Sequence, residues 1–236
     1  MTMFGPAAMN DRVRVVSSFE ELVTTPFAAG VNALCWPRRL EGDFTEVVRL
    51  LGPGEGIVTL EEGLLRELPV SAAGRVAVER LLEDQRLLQS RDLDPVLNCI
   101  HGYPRDETAG PVPTHVFSFH ADSAPVEACT YLCTYHGATS EALRNEEACR
   151  HVDLPQTRAE LLRSYGGADD GGFLEYLREH CYDLHYAPTA GARPYSFGLG
   201  NLWRIAIEYP GSPVPPCVHR APDTQPGDPP RLLLIS

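Results

Sequence analysis

The stretch "THVFSFHADSAPVEACTYLCTY" (residues 114–135) decides how this chain is read. Its first part, "THVFSFH" (114–120), alternates apolar and polar side chains, and "EACTYLCTY" (127–135) is rich in β-branched and aromatic residues; both predict strands. "NLWRIAIEY" (201–209) alternates again, and "RLLLIS" (231–236) is a short apolar run. The connections "PGSPVPPC" (210–217) and "APDTQPGDPP" (221–230) are short and proline-rich, which suits stiff links between strands. Helical material interrupts these strands. Thr157 and Glu160 form a capping pattern ahead of "LLRSY", Gly166 and Gly167 stop that helix, and "FLEYLREH" (173–180) comes next.

Upstream the pattern changes. Ser18 with Glu21, and Thr59 with Glu62, are capping-box pairs ahead of short apolar runs, while "VAVERLLEDQRLLQ" (76–89) has its apolar residues on one helical face. "GVNALCW" (30–36) reads as a short apolar strand. The first hundred residues therefore read as mostly helices around one buried strand. The expected architecture is one α+β domain, 1–236, in which 1–110 is mostly helical support. Residues 111–236 then form a double-stranded β-helix, or jelly-roll, core with inserted helices. A plain α+β sheet is the alternative.

Composition narrows the chemistry. The net charge is −12, which opposes a phosphate-backbone partner. All 20 basic residues are arginine, so lysine Schiff-base chemistry and a Walker phosphate loop are excluded, and any permanent cationic anchor for an acidic ligand is an arginine. The 7 cysteines are odd in number and form no Cys-x-x-Cys pair; Cys129 and Cys133 read as small packed hydrophobes. No apolar run reaches membrane-spanning length and the opening "MTMFGPAAMNDRVR" has no secretory pattern, so a cytoplasmic protein is expected, as a monomer or homodimer, with neither a membrane nor a nucleic acid as partner.

Within the opening stretch, His120 and Asp122 stand two apart, so in an extended segment they project from one face. His219, at the end of another short strand in "CVHRAP" (217–222), completes two imidazoles and one carboxylate, the facial triad that holds Fe(II) with open positions. His-x-Asp alone is a weak signal. With 8 histidines and 13 aspartates, chance supplies about 0.4 such pairs, and His151-Val-Asp153 is a second instance that runs into Leu154-Pro155 and reads as a helix lead-in.

The order of the downstream segments is more specific. His120-Ala-Asp122, then "GATSEALRNEEA" (137–148), then "HRAPDTQPGDPPRLLL" (219–234) resembles the Fe(II)- and 2-oxoglutarate-dependent oxygenases, closest to the clavaminate synthase and taurine dioxygenase group. The resemblance covers roughly residues 114–236. It implies Fe(II) on His120, Asp122 and His219, with 2-oxoglutarate as cosubstrate. The basic residue about a dozen positions beyond the distal histidine matches Arg231, and the threonine of the Gly-x-Thr segment matches Thr139; both would hold the far carboxylate of 2-oxoglutarate. The chain departs from the group in being compact and in lacking an Arg-x-Ser pair after His219. Asp122 implies hydroxylation, desaturation or cyclisation rather than halogenation, since related halogenases lack this carboxylate.

An arginine opening a buried terminal strand needs a carboxylate partner, which favours this role for Arg231; the bland reading leaves it at a strand edge in water. Arg220 falls on the face opposite His219, either supporting the site or lying on the surface. Arg144, Arg193 and Arg204 are further candidates for an anionic contact, and Tyr131 and Tyr135 either pack in the core or point into the barrel. His180 and His185 are five apart and do not make a second metal pair, and His115 faces away from His120. The expected partners are a small-molecule substrate, such as an amino acid or natural-product intermediate, and dioxygen. Three other readings remain: an iron oxygenase that needs no 2-oxoglutarate, a cupin-like metal-dependent hydrolase or isomerase, and a non-catalytic jelly-roll binding module.

Overall fold

The computed structural model describes residues 11–105, 110–225 and 227–236; the opening residues 1–10, on which the reading of a leader rests, and Pro226 of the last loop lie outside them. The first hundred residues supply strands β1 (Val13–Val15), β2 (Ala33–Trp36), β3 (Ile57–Thr59) and β4 (Val96–Ile100), alternating with helices α1 (Phe19–Thr24), α2 (Phe44–Leu51), α3 (Glu62–Glu67) and α4 (Ala72–Gln89). Then come β5 (Cys129–His136), β6 (Glu141–Leu143) and β7 (Ala148–Arg150), followed by α5 (Pro155–Tyr165) and α6 (Gly171–Glu179). The chain finishes with β8 (Tyr186–Pro188), β9 (Tyr195–Ser196), β10 (Leu202–Ala206), β11 (Val218–Arg220) and β12 (Arg231–Ile235).

Seven strands form one sheet in the order β1-β2-β10-β5-β12-β4-β3, with only the β1–β2 pair parallel. A smaller sheet runs β11-β6-β9, and β7 pairs with β8. A large, mostly antiparallel sheet with several helices is the expected mixture of α and β. Two expectations need correction. Four of the seven strands in the large sheet precede residue 101, so the N-terminal part is not simply helical support. Periodicity hides β1 and β3 because each is three residues long and mostly exposed. Secondly, "THVFSFH" is not a strand: Ser118 N–H closes a turn onto the His115 carbonyl at 2.9 Å, the His115 and Phe117 rings stack with centroids 4.6 Å apart, and only His120 joins a ladder.

The helix starts follow local chemistry. Ser18 Oγ accepts from Glu21 N–H and caps α1, while the Glu21 carboxylate reaches back to Ser17 rather than to Ser18 itself. Asp43 caps α2 and Ser71 caps α4 in the same way. The other two capping pairs are not caps. Thr59 ends β3 and its hydroxyl donates to Asn98 Oδ1, and Thr157 lies inside α5, which begins at Pro155 because proline's missing N–H costs nothing in the first turn. Gly166, at φ 73°, terminates α5 in the left-handed region that glycine tolerates. Among the described residues no helix is long and apolar enough to cross a membrane.

The large sheet is buried on both faces. Tyr131, Cys133, Tyr135, Leu232 and Leu234 pack on the helical layer around Leu81 and Leu82 of α4, each such leucine contributing about 1.5–3 kcal/mol of burial. Tyr131 and Tyr135 are thus core residues. Alternate residues of the same strands, Leu132 and Leu233, face the other way and pack with Ala142 of β6 and Cys217 just ahead of β11. The space between the two sheets is where the candidate site lies.

Candidate metal centre

His120 and His219 exchange both backbone hydrogen bonds, each at 2.8 Å, so their side chains stand directly opposite on one face, ring centroids 4.6 Å apart. His219 pairs in turn with Ala142, which packs between the sheets. Asp122 swings in beside them, its Oδ1 3.8 Å from His120 Nε2 and its Oδ2 3.8 Å from His219 Nε2. Ligand atoms of all three residues lie within 4.8 Å of one another.

The hydrogen bonds around the triad fix what it presents. His120 Nδ1 is 2.8 Å from the Ser118 carbonyl, and His219 Nδ1 is 3.3 Å from the Cys217 carbonyl. A carbonyl only accepts, so each Nδ1 carries the proton and each Nε2 keeps its lone pair. Thr130 donates to Asp122 Oδ2 at 2.6 Å. Burial, helped by His219, holds His120 below the usual imidazole range against the opposing pull of Ser118 and Asp122. Burial opposes ionisation of Asp122, but His219, the Thr130 hydroxyl and His120 outweigh it, so the carboxyl titrates below its usual range. Two lone pairs and a carboxylate thus converge with no donor between them, an arrangement that a cation relieves. Two ligands about 2.1 Å from one ion stand between about 3 Å and about 4.2 Å apart; the two His–Asp separations of 3.8 Å fall inside that range, and the cluster could hold a metal ion.

Arg231 is 2% exposed, the most deeply buried arginine among the described residues. Its NH1 group donates to the Tyr103 hydroxyl at 2.7 Å, and its NH2 group donates to Thr134 Oγ1 at 3.0 Å and Ser140 Oγ at 2.6 Å. Nε bonds nothing, and no carboxylate among the described residues pairs with the guanidinium. Burial lowers its proton affinity, partly offset by Tyr103. The strand-edge reading of Arg231 is therefore overturned. Ser140 stands two residues from Ala142, the neighbour of His219, so Arg231 and the triad face one inter-sheet space. The inward row of β5 links them: Thr130 touches Asp122 and Thr134 touches Arg231, about 13 Å apart along the strand.

Other candidates fall elsewhere. Thr139 is bonded to Ser196 Oγ at 2.6 Å, and the hydroxyls on Arg231 belong to Thr134 and Ser140. Arg220 pairs with Glu141 across the small sheet and lies over the Phe119 ring, on the face away from His219. Arg204 donates to the carbonyls of Val23 and Thr25 at the end of α1, and Arg144 pairs with Glu147. Arg193 lies near Glu147 as well. His151-Val-Asp153 forms a single helical turn leading into α5, as its sequence suggests.

No signal in the sequence points to His185. It pairs with His120 on the side opposite His219, so the three imidazoles form a row, and burial pushes its proton affinity down to about 4. An unfolded histidine titrates near 6.5, so as pH falls from about 6.5 to 4 the unfolded chain takes up a proton that the folded chain refuses, and stability drops. His185→Gln is expected to remove up to about 3 kcal/mol of this acid-side loss. Urea midpoints of the two proteins measured from neutral pH down to the acid limb test it: parallel curves would refute it.

Comparison with protein-family models, with curated proteins and with solved structures finds no match for this chain.

Proposed function

We propose that this chain is a non-haem Fe(II)- and 2-oxoglutarate-dependent oxygenase on a double-stranded β-helix, acting on a small molecule. The strand order supports the fold. Taking β4, the segment at His120, β5, β6, β9, β10, β11 and β12 as successive segments one to eight, the large sheet carries 1-8-3-6 and the small one 2-7-4-5. This is the order of two interlocked Greek keys closing a jelly roll.

One observation carries the functional reading: a buried arginine with no carboxylate partner among the described residues faces the same space as an acceptor-only His-Asp-His cluster. His120, Asp122 and His219 would hold Fe(II) from one side, leaving positions open on the other. When bound, the iron and 2-oxoglutarate supply the oxidising chemistry, coupling decarboxylation of the cosubstrate to succinate with oxidation of a substrate C–H bond by dioxygen. Arg231 would receive the far carboxylate of the cosubstrate in a charge-assisted pair. Tyr103, Thr134 and Ser140 aim its guanidinium, and Thr130 holds the Asp122 carboxylate in place. Asp122 keeps a coordination position from halide, so the outcome is hydroxylation, desaturation or cyclisation.

Anaerobic titration tests this. Wild-type protein is expected to take up one equivalent of Fe(II), His219→Ala to bind it at least about 100-fold more weakly, and 2-oxoglutarate to add a weak visible charge-transfer band. Iron-loaded wild-type protein with no band on adding 2-oxoglutarate would overturn the cosubstrate assignment. Stoichiometric iron unaffected by His219→Ala would overturn the metal assignment.

A further inference from the structure

We propose that His185 is a substrate-positioning residue on one wall of an open cleft that takes a small non-anionic molecule with an apolar body and a single hydrogen-bonding group. An open cleft of about 430 Å³ lies beside His120, within the size range of small-molecule sites. Val116, Ala121 and Leu184 supply apolar wall, with Ser123, His180 and His185 as polar points. His185 is 6% exposed, yet its ring makes no hydrogen bond among the described residues and its Nδ1 is sealed from solvent. Nε2 is likewise unbonded but is not sealed, so a ligand in the cleft can bond the ring there. The two metal-ligating histidines differ: each of their Nδ1 atoms is committed to a carbonyl.

The lining also selects by charge. Arginine is this chain's only permanently cationic side chain, and none borders the cavity among the described residues. In the metal-free protein a carboxylate or phosphate would find no cationic partner on this wall. The one carboxylate among the described lining residues, Glu179, opposes an anion further. This cavity is thus distinct in chemistry from the pole at Arg231. Calling its occupant the substrate rests on the oxygenase reading; the cavity and the unbonded ring do not.

The probes are benzyl alcohol, benzylamine and benzoate, three molecules with one ring and different charge. Each is titrated at neutral pH into metal-free and Fe(II)-loaded protein, under anaerobic conditions, while the ring nitrogens of ¹⁵N-histidine-labelled protein are followed by NMR. Benzyl alcohol and benzylamine are expected to bind and shift the His185 resonances, with benzoate at least about ten-fold weaker in the metal-free protein. His185→Phe is expected to weaken benzyl alcohol by about ten-fold or more, and His185→Gln, which keeps a hydrogen-bonding group, to stay within about three-fold of wild type. If His185→Phe fails to fold, the ring shifts and His185→Gln decide. The proposal is overturned if neither benzyl alcohol nor benzylamine binds, if benzoate matches the alcohol in metal-free protein, if the His185 resonances do not move, or if His185→Gln binds ten-fold worse than wild type. Benzyl alcohol bound to protein that takes no iron would sink the oxygenase reading and leave the cavity assignment standing. Iron bound with no probe bound would do the reverse.

Discussion

Asp84→Asn is expected to lower the stability of the fold by about 3–5 kcal/mol. Asp84 is fully buried on α4, beneath the large sheet, where its carboxylate accepts from both terminal nitrogens of Arg38, at 2.6 and 2.8 Å, and from the Tyr135 hydroxyl at 2.6 Å. Arg38 spends its Nε–H on the Gly200 carbonyl. Burial alone would lower the proton affinity of Arg38, but Asp84 outweighs it and the net direction is upward. An amide at position 84 keeps the shape and removes the charge, so the guanidinium stays buried without a counter-ion. Urea unfolding measures the loss, and a cost under about 1 kcal/mol would refute the account. Replacing both partners, as Arg38→Met with Asp84→Leu, is expected to recover much of the stability, since the pair's value lies in mutual compensation rather than in net attraction.

Arg231→Met is expected to separate cosubstrate binding from metal binding. Under the proposed function, removing one side of a buried charge pair costs about 2–5 kcal/mol, so 2-oxoglutarate should bind about 100-fold more weakly or worse while Fe(II) affinity is kept. The cosubstrate-free protein should lose no more than about 1 kcal/mol, because methionine fills the volume of a guanidinium whose partners among the described residues are all hydroxyls. Calorimetric titration of 2-oxoglutarate into iron-loaded protein reads the first effect and thermal unfolding the second. Unchanged 2-oxoglutarate affinity would remove Arg231 from the site.

Much of this site is legible in the sequence, though not through strand pattern alone. His120, Asp122 and His219 converge, yet His120 and Asp122 do so from the end of a turn rather than from a strand. Arg231 is legible as a cation placed in an apolar run. Thr130, Thr134 and Ser140 are not. The pattern "CTYLCTYH" alternates threonine or leucine with cysteine or tyrosine, and either row qualifies as buried, because the sheet has a core on each side. Alternation finds the strand without saying which row faces the helices. His185 is hidden differently. Its role depends on a single bridge to His120 across a sequence separation that includes both α5 and α6, and no local pattern encodes such a meeting. Of the N-terminal strands only β2 is read from the sequence; the others escape notice because β1 and β3 are too short for periodicity, and β4 carries an asparagine in mid-strand.

The placing of β12 between β4 and β5 has a kinetic consequence. Its two neighbours lie roughly a hundred or more residues upstream, so the pairing that joins the halves of the large sheet forms only after a long loop has been closed. Until then β4 and β5 each expose an open edge to other chains. Refolding is therefore expected to be slow and sensitive to protein concentration, with self-association competing against the arrival of one short apolar segment.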